Sequence, residues 1–181
     1  MKTAYIFIAE GFEEMEAVTP VDLLRRVGMD AKLVSVTGNK TVTGAHGVPY
    51  LADVLFEDID AASADALVLP GGMPGTLNLK AHAGLAEALK AGAAAGKYIC
   101  AICAAPMVLG GLGLLAGKKA TIYPGMEEHL TGAMPEAIPV VTDGKTVTSR
   151  APGTAIPFAL KLAELLAGKE AAEALKKDIV F

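Results

Sequence analysis

Lys97-Tyr-Ile-Cys-Ala-Ile-Cys103-Ala-Ala-Pro-Met-Val-Leu109 is a short apolar run, rich in β-strand formers, that breaks into a helical one with a cysteine at the break. A strand that turns sharply into a helix lifts the side chain at the turn off the carboxyl end of a sheet. The unpaired N–H groups of the first helical turn then face that side chain. Cys103 holds this place, so the stretch reads as a nucleophile elbow. The positive end of the helix is expected to lower its thiol pKa below the ordinary value of about 8.5. The plainer reading is a small buried residue, which free cysteines commonly are. Cys100-Ala-Ile-Cys103 has C-x-x-C spacing, but redox pairs of that kind start a helix, and Cys100 falls inside the strand.

Working outward, the chain alternates strands and helices. Ala4-Tyr-Ile-Phe-Ile-Ala9 is a continuous apolar run, as in a strand buried on both faces. An acidic helix is expected from Glu13, with Met15, Val18, Val21, Leu24 and Val27 on one stripe and Gly28 as its stop. Pro20 should kink or restart it, with Thr19 as the cap. A second strand covers residues 31–36, and a hairpin is expected around His46-Gly-Val-Pro-Tyr50. Asp65-Ala-Leu-Val-Leu69 is a buried strand ended by Pro70-Gly71-Gly72. A helix over 81–95 leads to the elbow strand. Ala120-Thr-Ile-Tyr123 reads as a strand ended by Pro124-Gly125. Residues 139–142 and 146–149 flank Asp143-Gly144-Lys145, a hairpin signal. Thr154 is expected to cap a long helix to Leu166, and a last helix runs over 168–177.

Unbroken apolar strands alternating with helices predict an α/β fold with a doubly wound, mostly parallel sheet. No repeat, low-complexity linker or internal boundary interrupts residues 1–181, which read as a single domain. Ligands of such sheets sit at the carboxyl ends of the strands. There the unusual loops collect: Glu13-Glu14-Met15-Glu16, Pro70-Gly71-Gly72, Cys103, Tyr123-Pro124-Gly125 and Arg150-Ala151-Pro152-Gly153. One crevice accounts for all of them.

Composition narrows the classes of function. Hydrophobic residues make up 52% of the 181, charged residues 20%, and the net charge is −4, a globular chain without a basic cluster. A nucleic-acid partner is not expected. The first residues lack the pattern of a signal peptide, and two closely spaced cysteines build no disulfide framework, so a reducing cytoplasm is the expected location. Tyr98 to Gly117 carries no charge, which is long enough to span a bilayer, but Pro106 and four glycines punctuate it. A central strand and a buried helix explain it better than a membrane segment.

Within the crevice, the Gly71-Gly72 pair allows close backbone approach, and with the N–H of Ala104 it could form an oxyanion hole beside a thiolate. Glu13 and Glu14 read as ordinary partners of the helix dipole. Glu16 lies further in; a protonated carboxyl there would donate to Cys103, an ionised one would raise its pKa, and the two would titrate together. His82 and His129 read as solvated helix-surface residues. No set of His, Cys and Asp has metal-ligand spacing, so neither metal nor cofactor is expected.

These residues resemble the DJ-one/ThiJ/PfpI superfamily, in particular its DJ-one-like, parkinsonism-associated deglycase branch. The likeness runs the length of the chain. It rests on Ala9-Glu-Gly-Phe-Glu-Glu-Met-Glu-Ala-Val18, Val68-Leu-Pro-Gly-Gly72, Ala101-Ile-Cys-Ala-Ala-Pro106 and Thr148-Ser-Arg-Ala-Pro-Gly-Thr154. The resemblance implies a flavodoxin-like three-layer α/β/α sandwich, a homodimer, a reactive Cys103 with a protonated Glu16 beside it, and oxyanion donors at Gly72 and Ala104. It implies glyoxalase or deglycase activity on small reactive carbonyls, without a cofactor. Gly71, Tyr123, His46 and Arg26 are candidate substrate or anion contacts, the last two from a neighbouring subunit across an interface that includes the first helix and Met15. Two departures stand out. Tyr123-Pro124 replaces the histidine-proline of animal members, and Ala104 replaces the histidine that follows the cysteine in protease-like relatives. The alternatives are a redox-sensing or chaperone-like stress protein whose cysteine is oxidised rather than turned over, and a peptidase or amidotransferase, which the missing histidine disfavours.

Overall fold

A computed structural model describes residues 1–181. In chain order the strands are β1 (Thr3–Ile8), β2 (Asp30–Ser35), β3 (Thr41–Thr43), β4 (Pro49–Leu51), β5 (Val54–Leu55), β6 (Ala66–Leu69), β7 (Tyr98–Ile102), β8 (Lys119–Ala120), β9 (Met134–Pro135), β10 (Val140–Asp143) and β11 (Thr146–Ser149). The helices are α1 (Glu14–Arg26), α2 (Gly75–Ala81), α3 (Ala83–Ala94), α4 (Pro106–Gly111), α5 (Ala155–Ala167) and α6 (Lys169–Asp178). Seven strands form one sheet in the order β10-β11-β7-β6-β1-β2-β5. Every neighbouring pair runs parallel except β10 with β11, which is the hairpin read from Asp143-Gly144-Lys145.

The period of two along a strand divides the core into two layers. Ala4, Ile6 and Ile8 of β1 pack with α1, α5 and α6 on one face. Tyr5, Phe7 and Ala9 pack with α3 and α4 on the other. The result is the expected three-layer sandwich. No helix is long and apolar enough to cross a membrane.

Several local expectations are corrected. α1 runs through Pro20 without restarting, although Pro20 has no N–H to donate to the carbonyl of Glu16. Its buried positions in the first turn are Glu14, Glu16 and Ala17, so Met15 is turned out and is 55% exposed. A helix that looked amphipathic in the usual sense points carboxylates inward at its start. α2 was not anticipated; the helix expected over 81–95 is divided from it at His82. His82 is no solvated surface residue either, because its Nδ1 accepts the Leu85 N–H at 2.9 Å and its ring packs edge-on against Phe56. His129 is half-exposed in a short helical turn, with Nε2 3.8 Å from Glu128 Oε1. The strand expected at 120–123 shrinks to β8, which pairs with β9 outside the main sheet, since β11 already occupies the edge of β7. Thr154 does not cap α5. Its hydroxyl instead accepts the N–H of Ala151 at 3.1 Å and lies 2.7 Å from Ser149 Oγ, closing the turn before the helix.

Candidate active site

β7 ends at Ile102, and the next residue, Cys103, has φ 64°, in the left-handed region. A non-glycine residue held there costs about 1–3 kcal/mol and persists only where the surroundings fix it. Two backbone hydrogen bonds do so: Cys103 N–H donates to Ser149 O at 3.0 Å, and Tyr123 N–H donates to Cys103 O at 2.9 Å. The elbow therefore joins the carboxyl end of β7, the end of β11 and the loop at Tyr123.

Glu16 approaches from α1. Its side chain is 0% exposed, and Oε2 accepts the Gly71 N–H at 2.8 Å. Oε1 is buried with no hydrogen-bond partner, and the carboxyl lies close enough to the Cys103 thiol for each to influence the other's ionisation. Gly71 lies between the two residues: a Cβ there would fall 2.7 Å from Glu16 Oε2 and 2.8 Å from Cys103 Cβ. Glycine is needed at 71 for space. At Gly72 it is needed for space and conformation, since φ is +87° and a Cβ would sit 2.3 Å from Glu13 N. The loop closes where Glu13 N–H donates to Gly71 O at 2.9 Å. The N–H groups of Gly72 and Ala104 both face the sulfur of Cys103.

The electrostatics overturn one expectation. Burial pushes the Glu16 carboxyl up to about 7, with the nearby charge of Glu13 adding and the hydrogen bonds from Gly71 and Cys103 opposing. Cys103 is not lowered. Burial, then the charge and hydrogen bond of Glu16, push its thiol up to about 12, against the N–H groups of Ala104 and Gly72. α4 is only six residues long, so its dipole is small beside desolvation and a neighbouring carboxylate. The two groups release protons as a pair: the first near 7, the second only near 12, because the site would then hold two buried negative charges.

The other candidates separate clearly. Tyr123 is at the site through its backbone, with its side chain 46% exposed. His46 sits in the turn between β3 and β4, with Nδ1 2.8 Å from Glu14 Oε2 and 3.6 Å from Glu13 Oε2. Arg26 lies at the far end of α1, paired with Asp22 and Asp178 at 3.1 Å each, and takes no part in the site of its own chain. Glu14 is more than a dipole partner: it is 8% exposed and accepts both the backbone N–H of His46 and its ring nitrogen at 2.8 Å. Glu13, Glu14 and His46 thereby bring three potential ligand atoms within 4.8 Å, a proximity that sequence spacing hid because the turn is far from α1 along the chain.

The sequence profile described as the DJ-1/PfpI family matches residues 2–165. The DJ-1 homolog A of Arabidopsis thaliana is 44% identical over 99% of this chain, and the chain spans 47% of that longer protein. A protein of Pyrococcus abyssi named as a deglycase is 34% identical over 89% of this chain and 97% of its own length. The solved structure of oxidized Toxoplasma gondii DJ-1 superposes with a TM-score of 0.96 at 37% identity, covering 100% of this chain and 99% of that one.

Proposed function

This chain belongs to the DJ-1/PfpI family, and from that premise we propose that it is a cofactor-free, cysteine-dependent enzyme acting on small reactive carbonyls, of the glyoxalase or deglycase kind. The observation that carries the reading is a cysteine at φ 64° with a fully buried carboxyl beside it that loses its proton near neutrality. A general acid–base works best when its pKa is near the working pH. The name of the Pyrococcus relative supports carbonyl chemistry of this type.

With methylglyoxal as the probe, the ionised Glu16 of the singly charged pair takes the proton from the Cys103 thiol as the sulfur attacks, which leaves Glu16 protonated. Sulfur adds to the aldehyde carbon, forming the C–S bond, and the N–H groups of Gly72 and Ala104 hold the developing oxyanion. Glu16 protonates that oxygen. It then removes the proton from the former aldehyde carbon and returns it to the adjacent carbon, while the hydroxyl proton passes between the two oxygens. The product is a thioester of lactate. Water cleaves it and restores the thiol, so methylglyoxal and water give lactate with no oxidant. Gly71 positions both reacting residues, and Tyr123 stands at the rim.

The test is turnover of a panel of dicarbonyls by the purified protein. Activity in wild type that is lost in Cys103→Ser supports the enzyme. Cys103 oxidation by dilute peroxide without any dicarbonyl turnover would favour the second reading, a redox sensor, which the oxidized state of the Toxoplasma relative makes specific. A homodimer is part of the proposal. A groove of about 590 Å³ runs between α1 and the C-terminal residues, lined by Val18, Leu23, Ile156 and Ile179, and exposed Met15 lies on the same helix.

A further inference from the structure

The β3–β4 hairpin has no role in the chemistry above, yet it is tied to the site's loop and the start of α1 at several points, three of which bear on His46. Gly11 N–H donates to Thr43 O and Ala45 N–H donates to Phe12 O, each at 2.8 Å. The third tie is the grip of Glu14 on both the backbone and the ring of His46. Beyond the loop lies Gly71, which accepts from Glu13 N–H on one side and donates to Glu16 Oε2 on the other. His46 is thus linked to Glu16 through Glu13 and the backbone of one residue, Gly71.

We infer that His46 is a positioning residue that sets the pH at which the Cys103–Glu16 pair becomes reactive, by neutralising Glu13 from the β3–β4 turn. The inference rests on the proposed pairing of Cys103 and Glu16. A like charge nearby disfavours ionisation, and Glu13 acts on Glu16 in that sense. An imidazolium 3.6 Å from Glu13 Oε2 opposes it. The charged groups facing His46 are Glu13 and Glu14 from the start of α1; those facing Glu16 are Glu13 and Cys103. Glu10 lies further along the hairpin, where it accepts the Thr43 N–H at 3.1 Å. Burial pushes the Glu14 carboxyl up, but the hydrogen bonds from His46 outweigh it and leave Glu14 below its ordinary value. The same contact raises the imidazole, so its charge persists toward the range where Glu16 titrates.

The experiment is the rate of Cys103 alkylation by iodoacetamide against pH, on the full chain, independent of any substrate. His46→Gln keeps a hydrogen-bonding side chain without the charge and is expected to move the midpoint up by about half a pH unit, or about threefold in rate near neutrality. Glu13→Gln is expected to move it down by a similar amount. The double variant should return close to wild type, and His46→Lys should restore the midpoint. Because His46 is 68% exposed, 1 M salt should shrink the His46→Gln shift. A His46→Gln protein with lower melting temperature and an unmoved midpoint has lost only a structural contact, which overturns the inference. So does a Glu13→Gln shift in the same direction as His46→Gln. A wild-type rate with no step near 7 removes the pair itself, a different failure that the wild-type curve alone reveals.

Discussion

The interior of β7 and the turn that ends it carry the same residue, three positions apart, in opposite chemical circumstances. Cys100 is 0% exposed, its neighbours in register are Val68 and Val147, and burial alone pushes its thiol up, beyond any useful range. Cys103 is also largely enclosed and also raised, but it faces two N–H donors and an acid whose own proton leaves near 7. Burial by itself silences a thiol. Burial beside a titratable partner creates a pair whose first proton is lost in the physiological range.

The largest expected effect tests this contrast directly. Limiting iodoacetamide should label Cys103 at least about a thousandfold faster than Cys100, because only Cys103 has access and a nearby proton acceptor. Peptide mass spectrometry reads the ratio, and label mainly on Cys100 would dismantle the site. Next comes stability. The folded Glu16 carboxyl titrates at about 7 against 4.5 for the unfolded chain. The native state therefore binds the extra proton between those values: its stabilisation is full below 4.5 and is lost as pH rises through 7. The loss amounts to about 3 kcal/mol at pH 8 and above. Glu16→Gln, neutral at every pH, should flatten that part of the pH–melting profile; a profile as steep as wild type would place the titration elsewhere.

Glu16→Leu leaves Cys103 to titrate alone against burial, with only the two N–H groups in its favour. The alkylation step near 7 should therefore vanish, the rate rising only at higher pH as the lone thiol ionises against burial, and superimposable wild-type and variant curves would show that the residues do not communicate. The smallest effect concerns assembly. Met15→Asp places a charge on the exposed face of α1 and should shift sedimentation from dimer toward monomer at micromolar concentration. A wild type that already sediments as a monomer would end the homodimer proposal.

The sheet and the elbow were legible because strand composition and local backbone requirements are written in neighbouring residues. Asp65-Ala-Leu-Val-Leu69 and Lys97 to Cys103 needed no distant information to be read as buried parallel strands. The Gly71-Gly72 pair and the Ala104 N–H fall where strands must end, while the choice of Gly72 and Ala104 as oxyanion donors is what the family resemblance implies. Local signals misled wherever a tertiary neighbour outweighed them. Ala120 to Tyr123 has strand composition, but the edge of β7 is already taken by β11 and only Lys119–Ala120 pairs, with β9 outside the main sheet. Pro20 forbids one hydrogen bond, which the packing of the inward face of α1 against α5, β1 and β2 overcomes. Met15 fitted an apolar stripe whose inward places are held by carboxylates.

The sequence by itself determined the α/β sandwich, the turn at Cys103 and the chemical type of its neighbours, since these depend on periodicity and on φ values that few residues tolerate. Only the tertiary structure decided the protonation chemistry. Glu16 and Gly71 are 55 residues apart, and Glu14 and His46 are 32 apart. The direction in which the Cys103 thiol is pushed depends on how deeply it is buried and which charge lies beside it. A short helix dipole, readable from the chain, is too weak against desolvation and a carboxylate that arrive only with the fold.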